Sequence, residues 1–356
     1  MKKVLVIFGG ASSEHDVSCV SAKFVIENIP ADKYEVMMLG ITKKGEWFIY
    51  SGDTANLPED KWTEDKENLT KAVLSPDSSC HGLIVFGKDG ITTEKIDVVF
   101  PVMHGKNGED GTIQGLLQMA GIPYVGCDCA SSAVCMDKTL TNTVADCAGI
   151  PQAKWIGVTE YEYSLDEDKV LDKAEEYLGY PVFVKPANAG SSVGVTKVSS
   201  RETFKEAMAT AFKEDKKLVL EEGIVGQEVE CAVMGNDVPV AGEVGELVPA
   251  NEFYDFEAKY ISDASKLFIP ARLSPEKLEE VKKAACNAYK ALGCSGLARV
   301  DFFVRESDGK VMLNEPNTLP GFTSISMYPK LMKAAGIESA DLLSRLIEYA
   351  EEKWSK

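Results

Sequence analysis

Cysteine pairs at metal-ligand or redox spacing are absent from this chain. Its nine cysteines, at positions 19, 80, 127, 129, 135, 147, 231, 286 and 294, are odd in number, and no CxxC occurs. Histidine is nearly absent: His15, His81 and His104 are the only three. That disfavours a structural zinc site and points to free thiols in a reducing cytoplasm. No apolar run approaches the ~20 residues of a membrane span. The opening MKKVLVIFGG has too short an apolar core for a signal peptide and reads as a first buried strand. Cations are outnumbered, 38 Lys and Arg against 56 Asp and Glu, for a net charge of −18. That balance argues against nucleic acid or an anionic membrane as partner. GxGxxG is missing after the first strand and GxxxxGK[ST] is missing altogether, against a nicotinamide dehydrogenase and a P-loop enzyme. Internal repeats and low-complexity tracts are also missing.

What remains is an ordinary globular composition, 45% hydrophobic and 26% charged over 356 residues, long enough for two or three domains. Changes of pattern divide it into 1–130, 131–225 and 226–356. Residues 1–130 alternate strands with helices, which predicts an open, largely parallel α/β sheet with ligands at the carboxyl ends of its strands. The expected strands are Lys3–Phe8, Tyr34–Ile41, Glu46–Tyr50, a hairpin at Gly82–Phe86 and Gly90–Thr93, Asp97–Met103 and Pro123–Val125. Helices are expected from Ser13 to Asn28, capped by Ser12 or Ser13, and from Thr112 to Ala120. Leu57–Leu69 reads as an irregular excursion.

Two loops follow strands in this part. In GGASSEH, Glu14 would repel a phosphate; it suits an ammonium group or simply complements a helix dipole. HGKNGEDG, from His104 to Gly111, packs three glycines beside a buried strand, a pattern of close ligand approach or of a flexible turn. Further on, Lys185 ends an apolar strand and would aim its ammonium into a loop of small residues, Gly190-Ser191-Ser192. Glu221-Glu222 ends another strand. Asn251–Pro270 reads as an aromatic-rich lid with Lys259-Tyr260 at its middle.

The densest signal lies near the end. ARVDFFVR and KVMLNE flank Glu306-Ser307-Asp308-Gly309. With Ser307–Gly309 as a three-residue hairpin loop, Asp301 falls opposite Glu315 and Arg299 opposite Asn317, all on one face. Opposed carboxylates destabilise a strand pair unless a cation lies between them. Two carboxylates and an amide oxygen suit Mg²⁺; a solvated hairpin end with surface charges is the alternative.

Seven motifs in register, GGASSEHDVS, HGKNGEDGTIQG, MDK, VKPANAGSSVG, FYDFEAKY, ARVDF and NEPNTLPGFTS, resemble the ATP-grasp ligases. Within them the chain is similar to the D-alanine–D-alanine ligases of peptidoglycan synthesis. HGKNGEDG and GCSG also resemble D-Ala–D-Ser ligases of the vancomycin-resistance type. The resemblance implies an α/β fold, α+β in its C-terminal half: an ATP-grasp fold behind an N-terminal open parallel α/β (pre-ATP-grasp) domain. It implies ATP-dependent joining of two D-alanines through an acyl phosphate, in a cytoplasmic homodimer. Two Mg²⁺ ions, replaceable by Mn²⁺, would be held by Asp301, Glu315 and Asn317. Lys138, Lys185, Ser191, Ser192 and Lys259 would contact ATP phosphates. Glu221, Glu222, Ile224 and Glu228 would contact adenine and ribose. Glu14, near His104, would hold the first substrate's ammonium and join Ser191 and Tyr260 in a hydrogen-bonded group. Arg299 and the Gly321 backbone would stabilise the oxyanion, and Ser326 would grip the second carboxylate. Ile325 departs from the family's usual His. Met327, where D-Ser ligases tend to carry a polar or basic residue, favours D-alanine as second substrate. A non-catalytic ligand-binding protein would leave Asp301, Glu315, Lys185 and Arg299 unexplained.

Overall fold

Val4–Phe8, the apolar run at the start, forms an interior strand of a sheet. The computed structural model describes residues 1–190, 193–248 and 266–355. In it β1 (Lys2–Gly9) lies between β2 (Tyr34–Ile41) and β7 (Val98–Val102), parallel to both, with Val4–Phe8 fully buried. A strand covered on both faces needs such an unbroken apolar run. Beyond β2 come β3 (Trp47–Tyr50), β4 (Leu69–Leu74), β5 (Gly82–Gly87) and β6 (Gly90–Lys95), each antiparallel to the last. The expected parallel sheet is therefore parallel only in its β2-β1-β7 core. The reason lies in the connections: α1 (His15–Asn28) supplies a helical crossover from β1 to β2, whereas β2 through β6 are joined without an α-helix. Pro123–Val125, expected as a strand, makes a single bridge from Tyr124 to Val99.

Two local expectations are corrected here. Helix α1 starts at His15 with Glu14 as its N-cap residue, not Ser12 or Ser13. The Ser12 hydroxyl instead accepts the Glu14 N–H at 3.1 Å and donates to the His104 carbonyl at 3.0 Å. The excursion after Tyr50 folds as three 3₁₀ turns, Thr54–Asn56, Pro58–Thr63 and Lys66–Asn68, before the unforeseen strand β4. Its anchor is Trp62, fully buried edge-on against Phe8 at 5.1 Å between ring centroids. A Cβ at Gly40 would lie 2.5 Å from that indole, so only glycine admits it.

Helices α2 (Thr112–Ala120), α3 (Cys129–Met136) and α4 (Lys138–Cys147) follow; α3 was not foreseen. Asp137 caps α4 by accepting the N–H groups of Thr139 and Leu140. A second sheet, all antiparallel, runs β10-β9-β11-β8, from β8 (Trp155–Thr159), β9 (Val182–Pro186), β10 (Thr196–Val198) and β11 (Lys217–Glu222). Side chains of α6 (Glu167–Leu178) and α7 (Arg201–Ala211) share one core with Ile156, Val182, Val184, Leu218 and Leu220. Strand alternation therefore turns Lys185 and Glu221 to the opposite face. A short helix α5 (Glu160–Leu165), also unforeseen, joins β8 to α6 through a capping box of Thr159 and Glu162.

The third sheet is antiparallel in the order β14-β13-β12-β15-β16. Its strands are β12 (Gly226–Gly235), β13 (Val240–Val248), β14 (Lys266–Phe268), β15 (Gly296–Arg305) and β16 (Val311–Asn317). Helix α8 (Pro275–Ala291) packs Val281, Ala285 and Tyr289 against Val229, Cys231, Ala298, Val300 and Phe302. Helices α9 (Met327–Ala334) and α10 (Ser339–Trp354) pack in another core, with Ala232, Met234 and Leu297 and with Val4, Val6 and Phe8 of the first sheet. All nine cysteines are free. Among the described residues no helix is long and apolar enough to cross a membrane.

The excursion's weight rests on one ring. Trp62→Ala should lower stability by about 3–5 kcal/mol, read by urea unfolding, because it removes the side chain that fills the space over Gly40 and Phe8.

Candidate functional site

The β15–β16 hairpin reaches the expected pairing by an unexpected route. Asp301 stands opposite Glu315 and Arg299 opposite Asn317. The loop, however, is four residues, Glu306–Gly309, closed by Arg305 N–H to the Lys310 carbonyl at 3.0 Å. Asn314, unmatched between the pairs Asp301–Glu315 and Phe302–Leu313, absorbs the extra residue as a bulge. A longer loop and a bulge cancel, so the sequence count stays correct at the site.

On this face Arg299 donates to both Asp301 oxygens, at 2.8 and 2.6 Å, and lies 3.0 Å from Glu230 on β12. Burial opposes the guanidinium charge, but Asp301, Glu230 and Glu315 outweigh it and hold the group charged. Asn317 donates its amide nitrogen to Asp301 at 2.9 Å, leaving its oxygen for another partner. Lys138 reaches the Ala189 carbonyl at 2.7 Å and lies 4.0 Å from Glu315. Lys185 meets Glu221 at 2.6 Å. Burial also opposes its charge, and the carboxylates of Glu221, Glu315 and Glu228 outweigh that too. Five elements, α4, β9, β12, β15 and β16, thus bring Lys138, Lys185, Glu228, Asp301 and Glu315 together. Oxygen donors without sulfur or imidazole, next to two lysines, fit a hard divalent ion that carries phosphate.

The acidic pair at the end of β11 divides. Glu221 is buried and also accepts from Asn142 at 3.2 Å, whereas Glu222 accepts the Lys154 N–H at 2.9 Å. Ile224 is half-buried just beyond.

The second cluster gathers the loops. Glu14 is buried. One of its oxygens would lie 2.3 Å from a Cβ at Gly105, so glycine there lets the loop close on it, and 3.5 Å from a Cβ at Gly190, an ordinary contact distance that places Gly190 beside it. His104 is buried and sends Nδ1 to the Leu319 carbonyl at 2.9 Å and Nε2 to the Ser21 hydroxyl at 3.1 Å. The burial pushes its pKa down, so the ring is neutral, donating from Nδ1 and accepting at Nε2. A Cβ on Gly321 would lie 2.8 Å from the Ser326 hydroxyl. That hydroxyl turns back to accept the Thr323 N–H at 3.0 Å, at the N-cap of α9. Met327 is buried with its methyl close over Gly245, and Ile325 is 60% exposed.

Ser191, Ser192, Lys259 and Tyr260 lie outside the described residues, as does most of the expected lid. Its described end, Lys266–Phe268, is strand β14, paired with Glu246–Val248. Three residues of the site escaped the sequence reading. Glu230 shares the strand parity of Glu228, which was a usable signal. Ser21 and Glu109 carry none, because their partners lie some 200 to 300 positions away: Ser21 accepts the Phe322 N–H at 3.3 Å and Glu109 the Leu319 N–H at 3.3 Å.

Comparison with known proteins agrees with this layout. Residues 3–127 match the family model described as D-ala D-ala ligase N-terminus, and 144–348 the one described as D-ala D-ala ligase C-terminus. The chain is 51% identical to a D-alanine–D-alanine ligase of Acetivibrio thermocellus, across 99% of this chain and 97% of that one. It is 50% identical to the D-alanine–D-alanine ligase of Caldicellulosiruptor bescii, across 99% and 95%. The crystal structure of the VanG D-Ala:D-Ser ligase from Enterococcus faecalis superposes with a TM-score of 0.90 at 43% identity, over 98% of this chain and 99% of that one. The D-alanine–D-alanine ligase of Coxiella burnetii superposes with a TM-score of 0.86 at 33% identity, over 99% and 96%.

Neutralising the residue at the centre of the hairpin separates a metal role from a packing role. Asp301→Asn should weaken Mn²⁺ binding, followed by electron paramagnetic resonance, by about 10–100-fold. Arg299 keeps Glu230 but loses its bidentate partner, so the melting temperature should fall as well; unchanged Mn²⁺ affinity would remove Asp301 from the ligand set.

Proposed function

The chain belongs to the D-alanine–D-alanine ligase family, ATP-dependent ligases of ATP-grasp fold that use a divalent metal, and we propose that it joins two D-alanines for peptidoglycan synthesis. The observation that carries this reading is the half-buried face where Arg299, Asp301, Glu315 and Asn317 stand beside Lys138 and Lys185.

A carboxylate is a poor acyl donor. The γ-phosphoryl group of ATP therefore passes to a carboxylate oxygen of the first D-alanine, giving an acyl phosphate and ADP. The second D-alanine's amine then attacks the acyl carbon. The N–C bond forms, the amine gives up a proton, and the C–O bond to phosphate breaks. Glu14 holds the first ammonium. Lys138 and Lys185, both beside carboxylates that keep the site's charge in balance, take the phosphates. Ser191, Ser192 and Lys259 are assigned to the same phosphates, and Ser191 and Tyr260 to the bonded group with Glu14. Glu221, Glu222, Ile224 and Glu228 are assigned to adenine and ribose. Arg299 and the Gly321 N–H face the oxyanion, and Ser326 the second carboxylate. Asp301, Glu315 and Asn317 would hold two Mg²⁺ ions, or Mn²⁺, which when bound offset the phosphoryl charge. Arg299 remains oriented by Glu230 when Asp301 serves a cation.

The three sheets support the division into 1–130, 131–225 and 226–356. The net charge supports small molecules rather than nucleic acid or a membrane as partners. A homodimer formed through the first domain, in the cytoplasm, follows the family's habit and the nine free thiols.

The second reading is D-Ala–D-Ser ligation, favoured by the superposition on the VanG enzyme. Met327 supports the first: a buried thioether beside the second-substrate segment suits a methyl group and offers a hydroxyl no strong partner. Phosphate release should require D-alanine and yield D-alanyl-D-alanine by mass analysis, with D-serine and D-lactate poor second substrates. A dominant D-Ala-D-Ser product would overturn the specificity, and no release under any condition the ligase reading. Met327→Lys should cut kcat/KM for the second D-alanine by about tenfold or more, because a charge is placed where a methyl was buried.

A further inference from the structure

The Leu319 peptide sits midway between Asn317 and Gly321, two residues from each. It is gripped on both its polar atoms by the loop that begins at His104. His104 Nδ1–H donates to the Leu319 carbonyl at 2.9 Å, and the Leu319 N–H donates to Glu109 at 3.3 Å. The other Glu109 oxygen accepts the Gly105 N–H at 2.8 Å, and Gly105 is the glycine that closes on Glu14. Ser21 adds a parallel link, donating to His104 and accepting the Phe322 N–H. One carboxylate thus ties the loop around Glu14 to the chain carrying Asn317 and Gly321.

We propose that Glu109 is a positioning residue: through Gly105 and Leu319 it sets the distance between the first-substrate pocket at Glu14 and the reacting centre at Asn317, Arg299 and Gly321. This rests on the ligase reading above. Both N–H groups need an acceptor, so the bidentate anion is the working form. Burial, and then the Glu14 charge, push its pKa up to about 8, against the Gly105 and Leu319 N–H groups and the Arg299 charge, which favour the anion. The anion therefore accumulates as pH rises through that value.

Glu109→Gln separates this role from packing, since glutamine fills the same volume yet offers only one oxygen and turns an NH₂ toward the other N–H. The variant should lose about tenfold or more in kcat/KM for the first D-alanine, because misplacement of reacting groups is costly. It should also lose the limb of the wild-type pH profile that rises toward pH 8. Ser21→Ala, which removes the parallel link, should weaken turnover in the same direction while keeping that limb. Without any turnover assay, hydrogen exchange at the Leu319 amide should accelerate in Glu109→Gln protein that melts as wild type does. A Glu109→Gln enzyme within twofold of wild type at every pH, or unchanged exchange at Leu319, overturns the proposal. Failure of wild type to make dipeptide overturns the ligase reading instead, and the exchange measurement still decides the clamp.

Discussion

A buried charge must be answered by another charge, and the interior of this protein is arranged around that demand. Arg299 and Lys185 are both withdrawn from water, and neither is compensated from its immediate sequence neighbours alone. Arg299 takes Asp301 from its own strand and Glu230 from the next; Lys185 takes Glu221 across the sheet. Removing one partner of such a set leaves an uncompensated charge, which costs more than the intact pair contributes. The strands carrying these residues are therefore not interchangeable in register: a one-residue slip of β12 or β15 would turn the carboxylates into the apolar layer under α8.

The same parity rule explains how much could be read in advance. Strand alternation needs no knowledge of tertiary contacts, so Asp301, Glu315, Arg299 and Asn317 were legible as one face. The central strands were legible as apolar runs, and α2 to the residue. The hairpin shows the limit of this reading. The loop is a residue longer than assumed and Asn314 bulges, and the site stays in register only because the two deviations offset each other. Sequence could not reveal α3 or α5, which are too short for a clear period. Nor could it reveal β4, whose LTKAVL mixes polar and apolar positions at an antiparallel boundary. Ser12 is a good cap residue by type, but its hydroxyl accepts the N–H of Glu14, the residue before the helix, and is held there by donating to the His104 carbonyl, a partner far along the chain. Residues such as Ser21 and Glu109 act through backbone groups far along the chain, and backbone groups leave no mark in a sequence.

A chain with a net charge of −18 that handles ATP and two amino-acid carboxylates faces a repulsion problem. The described site meets it locally rather than globally. Its cations are kept charged by carboxylates held close, among them Asp301 and Glu315, oxygen donors of the kind a divalent ion takes. Glu315 lies 4.0 Å from Lys138 and is also among the charges that hold Lys185 and Arg299 in their charged forms, so one carboxylate of the hairpin balances three cations brought in from separate elements.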